Sequence, residues 1–375
     1  MVNFIFINDL HFGIQDTERE LAELRKNFIP FVKENDVDVI FLGGDYFDHK
    51  LSLGEPFSIM ALEFFKDLVE VCAEKNIKLR CIEGTQSHDR FQPRILENCI
   101  PENTSIDYKY FETVGTETLL GMNILYVPEE YPLNVNEYYA EYKTQKFDLM
   151  LVHGTWDFIG FGGEEDNERN DINTAPIFVY SEWKDALENG LSICGHIHGR
   201  HGYTVPEGTK IIYPGSFTAW SFDQISPRGF LYGQFGIDKE KDRITYKFIN
   251  NPDAPTYANL DIKSLELDLE NTSLDVIKEK IQEMSGKVDH LKVNLDALSA
   301  EKILILKGLY ADSKNIHIDN KPKKKVVEKT QSDKFVKFAY LLNDKLSTAE
   351  AVQRYVKEEF GVEMNKDDIE KIITK

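Results

Sequence analysis

Hydrophobic and polar positions in the first half of the chain follow the rhythm of alternating strands and helices. Short apolar runs at 4–7 and 37–42 predict buried strands. Longer segments at 17–34 and 56–75 carry apolar residues three and four positions apart and predict amphipathic helices. The same reasoning predicts a helix at 177–189 and strands at 77–82, 123–127, 147–152 and 191–194. This order is typical of a layered α/β domain.

From about residue 201 the pattern changes to strands joined by turns that contain Gly or Pro. We predict these strands at 202–205, 210–213, 229–235 and 243–249. The segment 251–255, which reads Asn-Pro-Asp-Ala-Pro, indicates a domain boundary.

The remainder of the chain predicts two further parts. A small α+β domain with its own core follows the boundary, with strands and helices at 265–269, 274–284, 291–295, 300–310 and 315–318. A lysine-rich linker then leads to short amphipathic helices at 333–345, 347–360 and 366–374. We therefore predict three domains, at 1–252, 253–320 and 321–375.

Composition narrows the class of protein. A chain of 375 residues with 42% hydrophobic content can bury full cores. No run of about 18 apolar residues is present, so we expect no membrane partner. The first residues lack the basic region and cleavage site of a signal peptide, and the four cysteines match no metal or redox spacing. We expect a cytoplasmic protein with free thiols.

The net charge of −20 opposes binding to nucleic acid. If DNA is the substrate, local basic patches, metal ions or a partner must supply the contacts. The segment 321–337 holds seven lysines against two acidic residues. It could face DNA, an acidic partner or only solvent.

Five polar segments stand out because each follows a predicted strand. They are Asp9-Leu10-His11, Gly44 to Asp48, Gly84 to Asp89, His153-Gly154 and Gly195-His196-Ile197-His198. Residues i and i+2 of a strand share a face, so Asp-x-His and His-x-His pairs can aim at one centre. Mixed carboxylate and imidazole ligands suit Mn, Fe, Zn or Co. Any one segment also fits a buried structural histidine, whereas their joint occurrence favours a pair of metals that clamps a phosphate.

The ordered set resembles the calcineurin-like metallophosphoesterases and, more narrowly, the SbcD-type DNA-repair exonuclease subunits of bacteria and phages. The narrower resemblance rests on Gly195 to His198, followed by Tyr213-Pro214-Gly215-Ser216 and Pro227-Arg228-Gly229-Phe230. The broader one covers roughly residues 1–250. It implies a four-layer αββα sandwich, here with a small α+β capping domain and a helical C-terminal tail.

The resemblance implies two divalent metal ions, with manganese as the expected ion and Mg, Fe, Co or Zn as alternatives. The first ion would be held by Asp9, His11 and His198. The second ion would be held by His153 and His196, and Asp45 would bridge the two ions. His88 would be the catalytic histidine, Asp89 would orient it, and Asp48 would lie behind the ligands.

One motif departs from the family. The family reads Gly-Asn-His-Asp, and its Asn oxygen binds the second ion, whereas this chain reads Gly84-Thr85-Gln86-Ser87-His88-Asp89. Counting back from His88 places Ser87 in the ligand position. Gln86 and the absence of any protein ligand are the alternatives. We expect the second ion to be held weakly and activity to require added manganese.

The resemblance implies a manganese-dependent DNA exo/endonuclease subunit that acts with an SbcC-type ATPase in DNA recombination and repair. Residues 253–320 would contact DNA, and residues 321–375 would bind the coiled-coil base of the ATPase. The alternatives are a two-metal phosphoesterase for a small nucleotide or phosphomonoester and an inactive scaffold of the same fold. A homodimer is compatible with each of them.

Overall fold

The computed structural model describes most of the chain up to residue 319. The described residues are 1–14, 16–50, 56–102, 104–132, 135–157, 176–204, 209–222, 224–236, 243–265, 267–269 and 271–319, together with 349, 350, 352, 353, 356, 357, 365, 366 and 369. The chain divides into two compact units, Met1–Asp319 and Asn320–Lys375. The basic segment and most of the three expected C-terminal helices lie outside the described residues. The division into three domains stays a prediction.

Seventeen strands lie within the described residues. In chain order they are β1 Val2–Ile7, β2 Val39–Leu42, β3 Lys78–Ile82, β4 Tyr108–Phe111, β5 Gly115–Leu119, β6 Met122–Val127, β7 Leu149–His153, β8 Thr155–Trp156, β9 Ile177–Phe178, β10 Leu191–Gly195, β11 His201–Thr204, β12 Lys210–Tyr213, β13 Gly229–Phe235, β14 Ile244–Asn250, β15 Tyr257–Asp261, β16 His290–Asn294 and β17 Ile316–Asp319.

The helices of the same residues are mostly short. They are α1 Thr17–Glu23, α2 Ile29–Glu34, α3 Pro56–Lys75, α4 Ile95–Asn98, α5 Val135–Tyr138, α6 Ala140–Lys143, α7 Tyr180–Trp183, α8 Leu274–Ser285 and α9 Ala300–Leu309. A π-helical turn, Leu24–Phe28, joins α1 to α2, and 3₁₀ turns lie at Gln92–Arg94 and Ile262–Leu265. Among the described residues we find no helix with the length and apolar character that crossing a membrane requires.

Two six-stranded sheets form the body of the first unit. The first has the order β14-β13-β1-β2-β3-β4, and the second has the order β11-β12-β10-β7-β6-β5. Strands β1 to β4 are parallel, as are β6, β7, β10 and β12. The carboxyl ends of parallel strands share one edge of each sheet, which is where ligand sites of open α/β sheets lie.

Three hydrophobic cores show that the sheets and helices stack in four layers. One core lies between the sheets and includes Phe41, Tyr126 and Leu151. A second packs α1 to α4 on the outer face of the first sheet, and a third covers the outer face of the second sheet. Alternate strand residues point to opposite faces, so each central strand contributes to two cores and reads as a continuous apolar run. The expected αββα sandwich is confirmed.

The expected small α+β module is also present. Strands β15, β16 and β17 form a parallel sheet, and α8 and α9 cross over between them. Ser273 and Ser299 cap the two helices by accepting backbone N–H groups. A separate apolar core, which includes Ile277, Leu291 and Leu306, holds the module together.

Two predicted elements are wrong. The segment 177–189 begins with β9, continues as the single turn of α7 and ends in turns. Its apolar spacing is helical only because Trp183 and Leu187 both face the third core. The strand predicted at 265–269 lies instead at β15, because Leu260 and Ile262 enter the core of the small module.

Candidate metal centre

The polar segments found in the sequence meet at one edge of the sandwich. Asp9 and His11 follow β1, Asp45 follows β2, and His196 follows β10. All four have positive φ angles, of 50°, 49°, 52° and 82° respectively. Such backbone costs of the order of 1–3 kcal/mol per residue and persists where the surroundings enforce it, often at functional sites. The strain turns each side chain away from its strand direction and towards a common point.

The first cluster consists of Asp9, His11, His198 and Asp45. The ligand atoms of Asp9, His11 and His198 all lie within 4.8 Å of one another. The Nε2 atoms of the two histidines are 3.0 Å apart, and Asp45 Oδ2 is 3.6 Å from His11 Nε2. These are the residues that the sequence assigned to the first ion and to the bridge.

The second cluster consists of Asp45, His153 and His196, whose ligand atoms also lie within 4.8 Å of one another. His153 Nε2 is 3.2 Å from Asp45 Oδ2. Its Nδ1 is 2.8 Å from the carbonyl oxygen of Gly43, to which it donates a hydrogen bond in the tautomer that suits a ligand. Nε2 faces Asp45 and would be the atom that binds a cation. Asp45 belongs to both clusters, as a bridging carboxylate would.

The loops after β2 and β3 approach each other and His153 closely because they carry glycine at Gly44 and Gly84. A Cβ atom at Gly84 would lie 2.2 Å from the backbone nitrogen of Asp45, and one at Gly44 would lie 2.6 Å from His153 Nδ1. Gly44 also has a φ of +90°, which favours glycine. Any larger side chain would push Asp45 and His153 apart.

The structure does not bring Ser87 or Gln86 into the second cluster, and both side chains are exposed. The backbone turns directly after Thr85, whose carbonyl accepts from the N–H groups of His88 and Asp89. The two extra residues of the motif therefore bulge outwards. The motif must therefore be aligned by counting forward from Gly84. Thr85, and not Ser87, then stands at the position of the family's Asn ligand.

Thr85 and Glu129 are the residues that sequence reasoning missed. Thr85 Oγ1 lies 3.2 Å from Asp45 Oδ2 and 3.4 Å from His153 Nε2. Glu129 Oε2 lies 3.1 Å from His196 Nδ1 and 3.7 Å from His153 Nε2. The sequence does indicate Glu129 as a candidate, because it is an acidic residue two positions beyond the end of β6, at the same edge of the sheet as the other ligands.

Asp89 does not orient His88, contrary to the expectation. Its two carboxylate oxygens accept hydrogen bonds from the backbone N–H groups of Gly84, Asp45, Tyr46 and Phe47, at 2.8 to 3.2 Å. The side chain is fully buried. Asp89 therefore fixes the backbone around the bridging carboxylate and acts as a structural anchor.

His88 lies beside the first cluster. Its ring centroid is 4.8 Å from that of His11, and its side chain is 21% exposed. Its Nδ1 contacts the carbonyl oxygen of Asp48. The carboxylate of Asp48 faces both His11 and His49, and these contacts lower the pKa of Asp48 despite its partial burial. The group in contact with His88 Nδ1 is therefore the Asp48 carbonyl and not the carboxylate of Asp89.

The electrostatics of the clusters fit two divalent cations. The buried carboxylates of Asp9, Asp45 and Glu129 contact imidazole, hydroxyl and amide groups. Burial opposes the charge on His153, but Asp45, Asp9 and Glu129 outweigh it and raise the pKa of His153. Burying uncompensated carboxylates costs several kcal/mol each. Two divalent ions would supply that charge, and the mix of oxygen and nitrogen donors suits Mn, Fe, Zn or Co.

One family model and several solved structures are similar to this chain. The model of the calcineurin-like phosphoesterase family matches residues 2–200. No curated protein shows a significant match. Among solved structures, TT1561 of Thermus thermophilus is similar with 12% identity and a TM-score of 0.35, over 66% of this chain and 98% of that one.

A dimetal phosphatase from Danio rerio is also similar, with 10% identity and a TM-score of 0.36, over 67% of this chain and 96% of that one. The family match covers more than half of the 375 residues and includes both clusters. The chain belongs to the calcineurin-like phosphoesterase family and is a metal-dependent phosphoester hydrolase.

Proposed function

We propose that this hydrolase is a manganese-dependent DNA exo/endonuclease that acts with an SbcC-type coiled-coil ATPase in DNA recombination and repair. The observation that carries the proposal is a loop that joins the metal centre to the small α+β module. This site loop comprises residues 217–222 and 224–226 of the described chain.

One end of the site loop packs on the first cluster. The half-buried ring of Trp220 lies 5.1 Å from the ring of His11 and 5.0 Å from that of His198, between centroids. Gln224 accepts a hydrogen bond from Trp220 N at 2.9 Å and contacts His198 Nδ1 at 3.1 Å. The position of the loop is thereby tied to the candidate metal ligands.

The other end of the site loop packs on the small module. Phe222 lies 5.2 Å from Tyr257 and 5.0 Å from His317, between ring centroids. Its carbonyl accepts a hydrogen bond from Asn259 at 2.7 Å. Tyr257 in turn stacks on His290, with centroids 4.7 Å apart and rings 21° from parallel.

These rings form an aromatic surface that leads from the metal centre onto the module. Its members are Trp220, Phe222, Tyr257, His290 and His317. A small ester needs contacts only at the metals, whereas a polymer needs a path beside them. Aromatic side chains provide that path for nucleic acid because bases stack on them whatever their sequence.

The residues divide the chemistry of hydrolysis between them. Two bound divalent ions would clamp the phosphodiester and activate a water for in-line attack. His88 donates its Nδ1–H to the Asp48 carbonyl, so that Nε2 faces the leaving oxygen and can give it a proton when the ring is in the imidazolium form, which leaves the ring neutral. Asp89 holds the backbone that carries Asp45.

A partner would resolve the charge problem. A net charge of −20 repels DNA at long range, and the aromatic surface contributes little positive charge. An ATPase subunit would add phosphate-contacting residues beside the metal centre. We assign its docking to residues 321–375, whose lysine-rich segment suits an acidic surface of the partner.

The test of activity compares substrates. Wild type and His88→Ala are assayed with manganese on linear duplex DNA, single-stranded DNA and bis(p-nitrophenyl) phosphate. We expect cleavage of DNA that depends on His88. Cleavage of the small diester alone, also dependent on His88, would refute the nuclease assignment and favour a small nucleotide or phosphomonoester as substrate.

The test of partnership uses copurification. We expect a coiled-coil ATPase of this type to be retained by the full chain and lost when residues 333–375 are deleted. Equal retention by both forms would refute the proposed docking segment.

A further inference from the structure

We propose that Glu129 is a protein ligand of the second metal ion and takes the place of the amide oxygen that the motif at Thr85 lacks. The inference does not depend on the nature of the substrate. Its test measures metal binding and not DNA cleavage. The ligand role of Glu129 can therefore be refuted while the nuclease proposal holds, and the nuclease proposal can be refuted while the ligand role holds.

The fold places Glu129 between the two sheets. It follows β6, which pairs in parallel with β7, and Val127 lies beside Val152 in that register, next to His153. The backbone N–H of Glu129 donates to the carbonyl oxygen of Glu83, just after β3. These contacts fix the residue at the strand ends that carry the candidate ligands.

The carboxylate points into the second cluster. Its side chain is 0% exposed, and Oε2 lies 3.1 Å from His196 Nδ1, 3.7 Å from His153 Nε2 and 3.1 Å from Thr85 Oγ1. The other oxygen, Oε1, contacts the hydroxyl of Tyr131. Tyr131 therefore holds one oxygen while the other faces the cluster.

A carboxylate here compensates for the departure in the motif. Thr85 offers only a neutral hydroxyl, and that hydroxyl bridges Asp45 Oδ2 and Glu129 Oε2 at 3.2 and 3.1 Å. With Glu129 included, the second centre has two carboxylates and two imidazoles. The first centre has the same number of each. We therefore infer that the second ion is held about as firmly as the first, against the expectation from the sequence.

The competing role for Glu129 is a hydrogen bond that orients the ring of His196. The two roles differ in the number of ions bound. A glutamine at this position would still accept a hydrogen bond from His196 Nδ1, but it would lose the charge that a metal ligand contributes.

The experiment uses the full chain, stripped with a chelator and titrated with MnCl₂. Bound manganese is counted by mass spectrometry of the native protein, and the coupling of the two ions is followed by electron paramagnetic resonance. We expect wild type to bind two ions as a spin-coupled pair. We expect Glu129→Gln to retain the first ion but to bind no second ion, and so to show no coupled signal, at the MnCl₂ concentration that saturates both sites of wild type.

Glu130→Gln is the matched control. Its carboxylate accepts from Val114 N and from the hydroxyl of Tyr138, outside the cluster, so wild-type binding is expected. Two coupled ions of wild-type affinity in Glu129→Gln would overturn the proposal and leave Glu129 with the orienting role.

A shorter carboxylate decides the question if the glutamine variant does not fold. Glu129→Asp keeps the negative charge, but its side chain is one methylene shorter, so the carboxylate lies farther from the second cluster. We expect two ions, with the affinity for the second reduced several-fold and the affinity for the first unchanged. Unchanged affinity for both ions would contradict the proposed ligand role.

Discussion

The Nε2 atoms of His11 and His198 face each other at 3.0 Å in the first cluster. At this distance the two rings share one hydrogen bond when no metal is bound, and a divalent ion beside both nitrogens would bind both lone pairs instead. We therefore predict that manganese stabilises the folded chain, by about 2.7 kcal/mol for one site when the free ion exceeds its Kd a hundredfold. The measurement is thermal unfolding of chelated protein with and without added manganese. His198→Ala should lose most of this gain, and an unchanged melting temperature of wild type would contradict the assignment.

His88→Ala should lower the rate of hydrolysis without reducing the number of bound metal ions. Its ring touches the first cluster, where its ligand atom and those of His11 and Asp45 all lie within 4.8 Å of one another, and we assign it to the leaving oxygen. We expect kcat to fall by about 10² to 10⁴ with two ions still bound. Parallel activity and metal-content measurements check this. A loss of the first ion in the variant would make His88 a ligand instead.

Asp89→Asn should act on stability. The native carboxylate accepts four backbone hydrogen bonds, and the amide has only one oxygen to offer. We expect the free energy of unfolding to fall by about 3 kcal/mol, measured by urea denaturation, while exposed Glu97→Gln has little effect. Unchanged stability together with a shifted pH profile of activity would restore the role of orienting His88.

The two central sheets are joined by an ion pair whose contribution depends on pH. Arg80 on β3 donates to both carboxylate oxygens of Glu117 on β5, at 2.8 and 3.0 Å. Burial would raise the pKa of Glu117, but Arg80 outweighs it and the pKa is lowered. The pair therefore stabilises the fold above the ordinary glutamate pKa, and the stabilisation is lost as pH falls through the lowered value.

Glu117→Gln should accordingly lower the free energy of unfolding by about 2 kcal/mol at pH 7, since Asp107 still pairs with Arg80. The difference from wild type should shrink as the pH falls through the lowered pKa of Glu117. Denaturant titrations across pH check this, with the exposed Glu97→Gln as control. A difference that is constant with pH would show that the charge is not the cause.

The aromatic surface gives a prediction on substrate choice. Tyr257→Ala should raise KM for DNA by about five- to a hundredfold, since each stacked base contributes about 1–3 kcal/mol. Hydrolysis of a small diester should be unchanged, because Tyr257 does not touch the metal clusters. Leu304→Ala, on an exposed side of α9, is the control. Equal losses for both substrates would argue against the surface.

Most residues of the metal centre could be predicted from the sequence because they follow the ends of buried strands, which can be recognised there. Asp9, His11, Asp45, His153, His196 and His198 follow apolar runs whose buried character leaves little ambiguity, and parallel strands bring their ends together. The structure places all six in the two clusters.

What the sequence did not provide depends on backbone geometry. Counting from His88 favoured Ser87, but a turn after Thr85 reverses that choice. Tertiary contacts of Thr85 with Asp45, and of Asp89 with the backbone of Asp45 and Tyr46, hold this turn in place. Glu129 lies outside any motif, and only the fold shows that it meets His196. The role of Asp89 likewise required the positions of four backbone N–H groups.

The most direct test of a two-metal DNA nuclease is a titration of the stripped chain with manganese. Cleavage of linear DNA and the number of bound ions are measured on the same samples. We predict that cleavage follows the fraction of chains that carry two ions and is absent in His88→Ala. Full cleavage by chains with one ion or none, or no cleavage of DNA by doubly loaded chains, would contradict the assignment.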